Sequence, residues 1–144
     1  NVRGQLMTRL VRKLMRTKFA NLDVDLVVRV ARACVDEGSL DEARKLAQRG
    51  LKADPKHLGA AILLAEVLRK QRLPRRAIKV TDDFVRRRSA ELLTVRAAAF
   101  CDISDWDNAE KFVRRALAID KADASPDTLQ VMARVVSARS REAA

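Results

Sequence analysis

The chain repeats itself at a period of just over thirty residues, and that confines it to an architecture of stacked units. Three segments align: VDEGSLDEARKLAQRGLKADP (35–55), RKQRLPRRAIKVTDDFVRRRS (69–89) and CDISDWDNAEKFVRRALAIDK (101–121). Ala43, Ala77 and Ala109 correspond, at separations of 34 and 32. So do Leu40, Pro74 and Trp106, and so do Leu51, Val85 and Leu117. The two residues missing from the second interval fall after Arg88, which lacks a counterpart of the Asp54-Pro55-Lys56-His57 connection. A unit this short cannot bury its own apolar face, so neighbouring units must stack to make a continuous core.

Each aligned segment follows an apolar helical stretch, at 24–37, 58–71 and 91–102. With 48% apolar and 34% charged residues the chain is too apolar for disorder. Four Gly and three Pro in 144 residues are too few breakers for a sandwich or barrel, which turns every 8–12 residues. The expected unit is therefore a pair of helices. Ala43, Ala77 and Ala109 lie early in each second helix, where a small side chain permits close approach. Leu46, Leu51, Val80, Val85, Val113 and Leu117 form an apolar stripe along the second helices. Ser39, Ser89 and Ser125 stand at expected N-caps, and Pro74 and Pro126 suit a first helical turn.

These features resemble the tetratricopeptide repeat, a helix–turn–helix unit of about 34 residues. The first copy carries the likeness best: Gly38 closes the turn, Asp41-Glu42-Ala43 opens the second helix, and Asp54-Pro55 breaks the chain. The third keeps Trp106, Ala109, Ala116-Leu117 and Asp120 but has Lys121 where a Pro is expected. The second is degenerate, with Arg72 for the turn Gly, Phe84 for a small residue and Ser89 for the Pro. Ala31, Ala65 and Ala97 hold the small position of the first helices. The resemblance implies an all-α, right-handed α-solenoid of antiparallel helix pairs, with repeats at 24–57, 58–89 and 90–121 inside a region 24–121. Flanking helices are expected at both ends, a basic amphipathic one in 1–20 and a capping helix or the start of a fourth repeat at 126–141.

Charge is concentrated. Residues 1–20 carry six bases and no acid, residues 69–88 nine bases against Asp82 and Asp83, and the remainder is slightly acidic within a total of +11. On a wheel at 100° per residue, Leu6, Met7, Leu10, Val11, Leu14 and Met15 fill one half of the first helix. Arg9, Arg12, Lys13 and Arg16 crowd the opposite arc. The helix either caps the first repeat through its apolar face or lies on an anionic surface.

Catalytic and metal chemistry have no residues to stand on. His57 is the only histidine, follows Lys56 at a helix start, and reads as a surface loop residue. Cys34 and Cys101 lie two repeats apart, too distant for a disulfide, and read as small buried hydrophobes in a reducing compartment. Asp102, Asp105, Asp107 and Glu110 fail the order of a calcium loop and suit a helix start. The glycines form no phosphate loop. No enzyme activity, cofactor or metal is expected. The longest stretch without charge or Pro, 58–65, is far below the ~18 apolar residues of a membrane span. No apolar leader follows the basic start, so a cytoplasmic setting is expected, and Asn1 suits a piece of a longer chain.

What the resemblance implies for function is a non-catalytic scaffold or adaptor that binds a protein or peptide on a concave face lined by first helices. Carried over residue by residue, that face holds Val28, Arg32, Val35, Ile62, Glu66, Arg69, Lys70 and Thr94. The carboxylate clamp of the chaperone-tail subclass is absent, since the matching places are Val28, Arg32, Leu63, Glu91 and Val95. An apolar strip beside basic residues suits a partner of acidic character. The alternative is a basic surface-binding module for nucleic acid or an anionic membrane. Few aromatics and no base-reading signature argue against nucleic acid. Peripheral membrane contact would run through residues 1–19.

Overall fold

A computed structural model describes residues 2–144. The described residues form eight α-helices: α1 Val2–Arg16, α2 Val24–Asp36, α3 Leu40–Ala53, α4 Leu58–Lys70, α5 Pro74–Thr81, α6 Ala90–Asp102, α7 Trp106–Asp120 and α8 Pro126–Ala143. Single 3₁₀ turns at Phe19–Asn21, Asp82–Phe84 and Lys121–Asp123 complete the list, with no strand among the described residues. Two compact units result, one ending at Gln71 and the other spanning Arg72–Ala144. The division falls inside the expected repeat 58–89, leaving α4 in the first unit and α5 in the second.

In the first unit α2 and α3 form a hairpin. Gly38 turns it at φ +82°, a left-handed conformation that costs glycine nothing. Ala31, Ala43 and Ala47 are fully buried where the helices meet. Gly50 lets α3 approach still closer, since a Cβ there would sit 3.3 Å from methyls of both Val24 and Val27. Helix α1 packs on this hairpin through Leu14, its one buried residue. Arg49 finishes that helix: its Nε donates to Leu14 O at 3.0 Å, its Nη2 donates to Thr17 O, and its guanidinium lies 4.7 Å over the Phe19 ring. A cation thus satisfies carbonyls that a helix C-terminus leaves orphaned.

The second unit is built on the α6–α7 hairpin, with α5 and α8 packed beside α6. Its core gathers Leu93, Ala97, Phe100, Ala109, Phe112, Val113, Ala116, Val131 and Val135, flanked by the partly buried Trp106. Helix α5 stops at Thr81, so Val85, expected on its stripe, lies beyond a 3₁₀ turn. The register supplies a reason. Gly50, Phe84 and Ala116 occupy equivalent places, and a close helix contact that accepts Gly or Ala does not accept a phenyl ring. Phe84 is nonetheless buried, placed by the turn.

The turns equivalent to Gly38 keep its backbone without its residue: Arg72 has φ 63° and Ser104 φ 58°. Ser89 and Ser125 accept from the N–H of Leu92 and Thr128 as true caps, whereas Ser39 makes no such bond. Helix α8 is tied down by charge, Arg134 to Asp102 at 3.1 Å and Arg139 to Asp107 at 2.5 Å. Hydrogen bonding to Asp107 first, and then to Glu142, pushes the Arg139 guanidinium above its usual range.

Candidate partner-binding site

The first unit holds most of the expected partner face. Asp25, Val28, Arg32 and Val35 recur at helical spacing along α2, and Ile62, Glu66, Arg69 and Lys70 along α4. Two polar links join the helices. His57 caps α4 through Nδ1, which accepts from the Ala60 N–H at 3.0 Å. That leaves Nε2 to donate to Asp25 Oδ1 at 2.6 Å. Seven residues along α2, Arg32 Nη1 donates to Glu66 Oε2, also at 2.6 Å. Val28 lies between these links, and a Cβ on Gly59 would sit 3.8 Å from its methyl.

The residues of this face are not equally available. Val28, Arg32, Val35, Glu66 and Arg69 are half-buried and Lys70 is exposed, but Ile62 keeps only 5% of its surface. Thr94 belongs to the other unit and keeps 7%, its hydroxyl bonded to Thr128 Oγ1 at 2.8 Å. Thr128 in turn meets Ser125 Oγ at 3.0 Å, so Thr94 ends a chain of hydroxyls that seats the start of α8 on α6. The positive charge of Arg32 is matched at close range by Glu66 before any partner arrives.

Several residues do work that their sequence context does not announce. His57 is a cap and an inter-helix link, where a loop residue was expected. The acids at 102–110 are engaged by the protein itself: Asp105 caps α7, Asp102 and Asp107 hold α8, and Glu110 meets Arg114 and Arg139. Among the described residues no cluster has the makings of a metal site. Cys34 and Cys101 are both buried, and burial, helped by the Glu42 charge, pushes the Cys34 thiol above its ordinary 9.0.

Arg96 carries no signal in the sequence that sets it apart from the other arginines. It is buried in the second unit, and its Nη1 donates to Ile78 O, Thr81 Oγ1 and Asp82 Oδ1 at 3.1, 2.8 and 2.7 Å. Its guanidinium lies 4.5 Å over Phe112 and 5.3 Å over Phe100, whose rings stack at 5.7 Å. The side chain therefore closes the end of α5 where that helix stops short.

On the outside of α1, Arg9, Arg12, Lys13 and Arg16 line an open depression with Thr17. Leu6, expected on the packing half, is 58% exposed beside them.

Comparison with known proteins bears on this geometry. A tetratricopeptide repeat family model matches residues 24–67, the stretch from the start of α2 into α4 that contains Val28, Arg32, Val35, Ile62 and Glu66. No curated protein sequence matches the chain. Among solved structures, the crystal structure of a thermophilic TPR protein of Thermus thermophilus superposes with a TM-score of 0.74 at 20% identity. It covers 95% of this chain and 73% of that one. Residues 24–67 are thus matched as a tetratricopeptide repeat, within an all-helical chain that has the helical-solenoid fold of such proteins.

Proposed function

We propose that this chain is a non-catalytic interaction module that captures a peptide or protein segment on the face formed by α2 and α4. Tetratricopeptide repeats generally mediate protein–protein association, and the proteins built from them are generally non-catalytic scaffolds. The observation that carries the reading is the placement of Val28 and Val35, half-buried on one ridge of α2, inside the matched repeat. Two inter-helix links hold that ridge rigid, and a rigid surface lowers the entropic cost of binding. Lys70, at the end of α4, supplies a cation for an acidic end of the ligand. Arg69 stands beside it in sequence, and Arg32 and Glu66 border the strip as a balanced pair. The working array would be the three repeats of 24–121, in a cytoplasmic setting, with helices in 1–20 and 126–141 as flanks. Among the described residues no helix is long and apolar enough to cross a membrane.

The test is a Val28→Asp, Val35→Asp double variant, chosen because Ile62 is too buried to change without disturbing the fold. Partners captured by the native chain are first identified by crosslinking, then measured against the variant and a Val136→Asp control on α8. A central apolar contact is worth about 2 kcal/mol, or about thirtyfold in affinity. Loss of that size for every directly bound partner in the double variant alone is expected. Unchanged affinity would exclude this face.

A further inference from the structure

We infer that the outer ridge of α1 is a docking site for an anionic lipid surface. Val2, Leu6, Arg9, Lys13 and Arg16 follow one another at spacings of four and three, which aligns them along one line of a helix. Val2 is 72% and Leu6 58% exposed, and Arg12 flanks the basic half. The ridge therefore reads apolar for its first two turns and cationic for its last two. Its length is about 21 Å at 1.5 Å per residue.

None of the four cations has an acidic partner among the described residues. The one acid paired with α1, Glu37, reaches Arg3 on another side of the helix. Arg32, Arg96, Arg134 and Arg139, by contrast, each meet an acid at close range. The opposite side of α1 is occupied, since Leu14 is buried and Arg49 fastens the helix end. What remains outside is a fixed ridge that can approach a surface without unfolding anything.

The two halves of the ridge select the surface. A bilayer interface offers phosphates and carboxylates to guanidinium and ammonium groups, with acyl chains a few ångströms deeper for Leu6 and Val2. Membrane attachment by such elements takes two signals, a basic patch and an apolar insertion, and both are present here. A nucleic acid would use the cations but give the exposed Leu and Val nothing to bury against. It would also find only about 10 Å of positive track between Arg9 and Arg16, with no aromatic on the ridge for stacking.

The experiment sediments the chain with vesicles of phosphatidylcholine containing 30% phosphatidylserine, with pure phosphatidylcholine vesicles as the reference, at low and physiological salt. Binding confined to the anionic vesicles and weakened by salt is expected. Each cation near such a surface contributes about fivefold in affinity, so Arg9→Gln with Lys13→Gln should weaken binding about 25-fold. Leu6→Ser should weaken it about fivefold, while leaving the affinity for a 20-base-pair DNA duplex unchanged. All of these positions are exposed, and circular dichroism confirms that the variants keep their helices. Equal binding to neutral vesicles, insensitivity to either variant, or tighter binding to the duplex than to the anionic vesicles would each overturn the inference.

Discussion

Removing Arg96 should loosen the second unit more than any other change of a charged residue in it. Arg96 keeps 11% of its side-chain surface and Asp82 keeps 53%, so the pair is buried at one end and wet at the other. A charge-assisted bond contributes about 1.5–3 kcal/mol, and the wet carboxylate puts this one at the low end. The bonds to Ile78 O and Thr81 Oγ1 contribute about 1 kcal/mol each. The Ile78 carbonyl keeps a donor in the Thr81 hydroxyl, which limits the penalty for its desolvation. Contact with the stacked Phe100–Phe112 rings adds roughly 0.5–1 kcal/mol. These terms share one side chain and do not add fully, so Arg96→Ala should cost about 3 kcal/mol, and Arg96→Met, which keeps the ring contact, about 2 kcal/mol. The measurement is urea unfolding combined with hydrogen exchange of the α5 and α6 amides, because loss of the contact frees the end of α5 before the whole unit. A double-mutant cycle with Asp82→Ala should give a coupling of about 1 kcal/mol, little changed by salt. A cost below about 1 kcal/mol for Arg96→Ala, with α5 protection unchanged, would refute the role assigned to it.

Replacing Ser104 by Gly should stabilise the chain by about 0.5–1 kcal/mol in thermal unfolding, because it relieves a left-handed backbone that costs an L-residue about 1–2 kcal/mol. Gly38→Ala should lose about 1 kcal/mol by the same reasoning. Ala43→Leu or Ala109→Leu should each cost about 1–3 kcal/mol by overpacking a fully buried contact, and neutrality at both would mean that the helix register is wrong. His57→Ala should cost about 1 kcal/mol through the lost cap of α4, and His57→Asn should recover most of it by accepting from the same N–H. The Cys34 thiol holds its proton more tightly in the folded chain than in the unfolded one, so its contribution to stability is intact below about pH 9 and declines as pH rises further. The pH profile of Cys34→Ala should lack that part of the alkaline decline.

The repeat was legible because its signal is steric. A small residue at 43, 77 and 109 must meet another helix in each copy, and a one-residue slip would bring a long side chain into that contact. The apolar runs of the first helices were equally plain, and the turns were found at their spacing despite Arg72 and Ser104. What spacing could not show was the shortening of α5. Phe84 is apolar and falls on the helical stripe, so periodicity accepts it; only the width available at the position taken by Gly50 and Ala116 rejects it. Arg96 was invisible for a different reason. Its acceptors lie 14 to 18 residues away and belong to a helix end that the sequence did not predict, so it read as one more solvated base in a chain with 21 arginines.

The candidate site was half legible, and the missing half is electrostatic. Composition gives a total of +11 but not which cations are already matched. On the α2–α4 face, Asp25 faces His57 and Arg32 faces Glu66, so the centre of that face is close to balanced. A balanced centre cannot attract an acidic ligand over distance; under the proposed function it would select by shape and by what Val28 and Val35 can bury, with charge acting only at its Lys70 end. In the second unit Arg134 and Arg139 of α8 are likewise taken up by Asp102, Asp107 and Glu110. Arg9, Arg12, Lys13 and Arg16 are the opposite case, four cations on two turns with no acid among the described residues to answer them. In the first unit four unmatched cations therefore stand together on α1, whereas the ridge that would grip a peptide is close to balanced. Raising the salt should weaken association through α1 while leaving peptide affinity at Val28 and Val35 nearly constant, and measuring both in one titration separates the two surfaces.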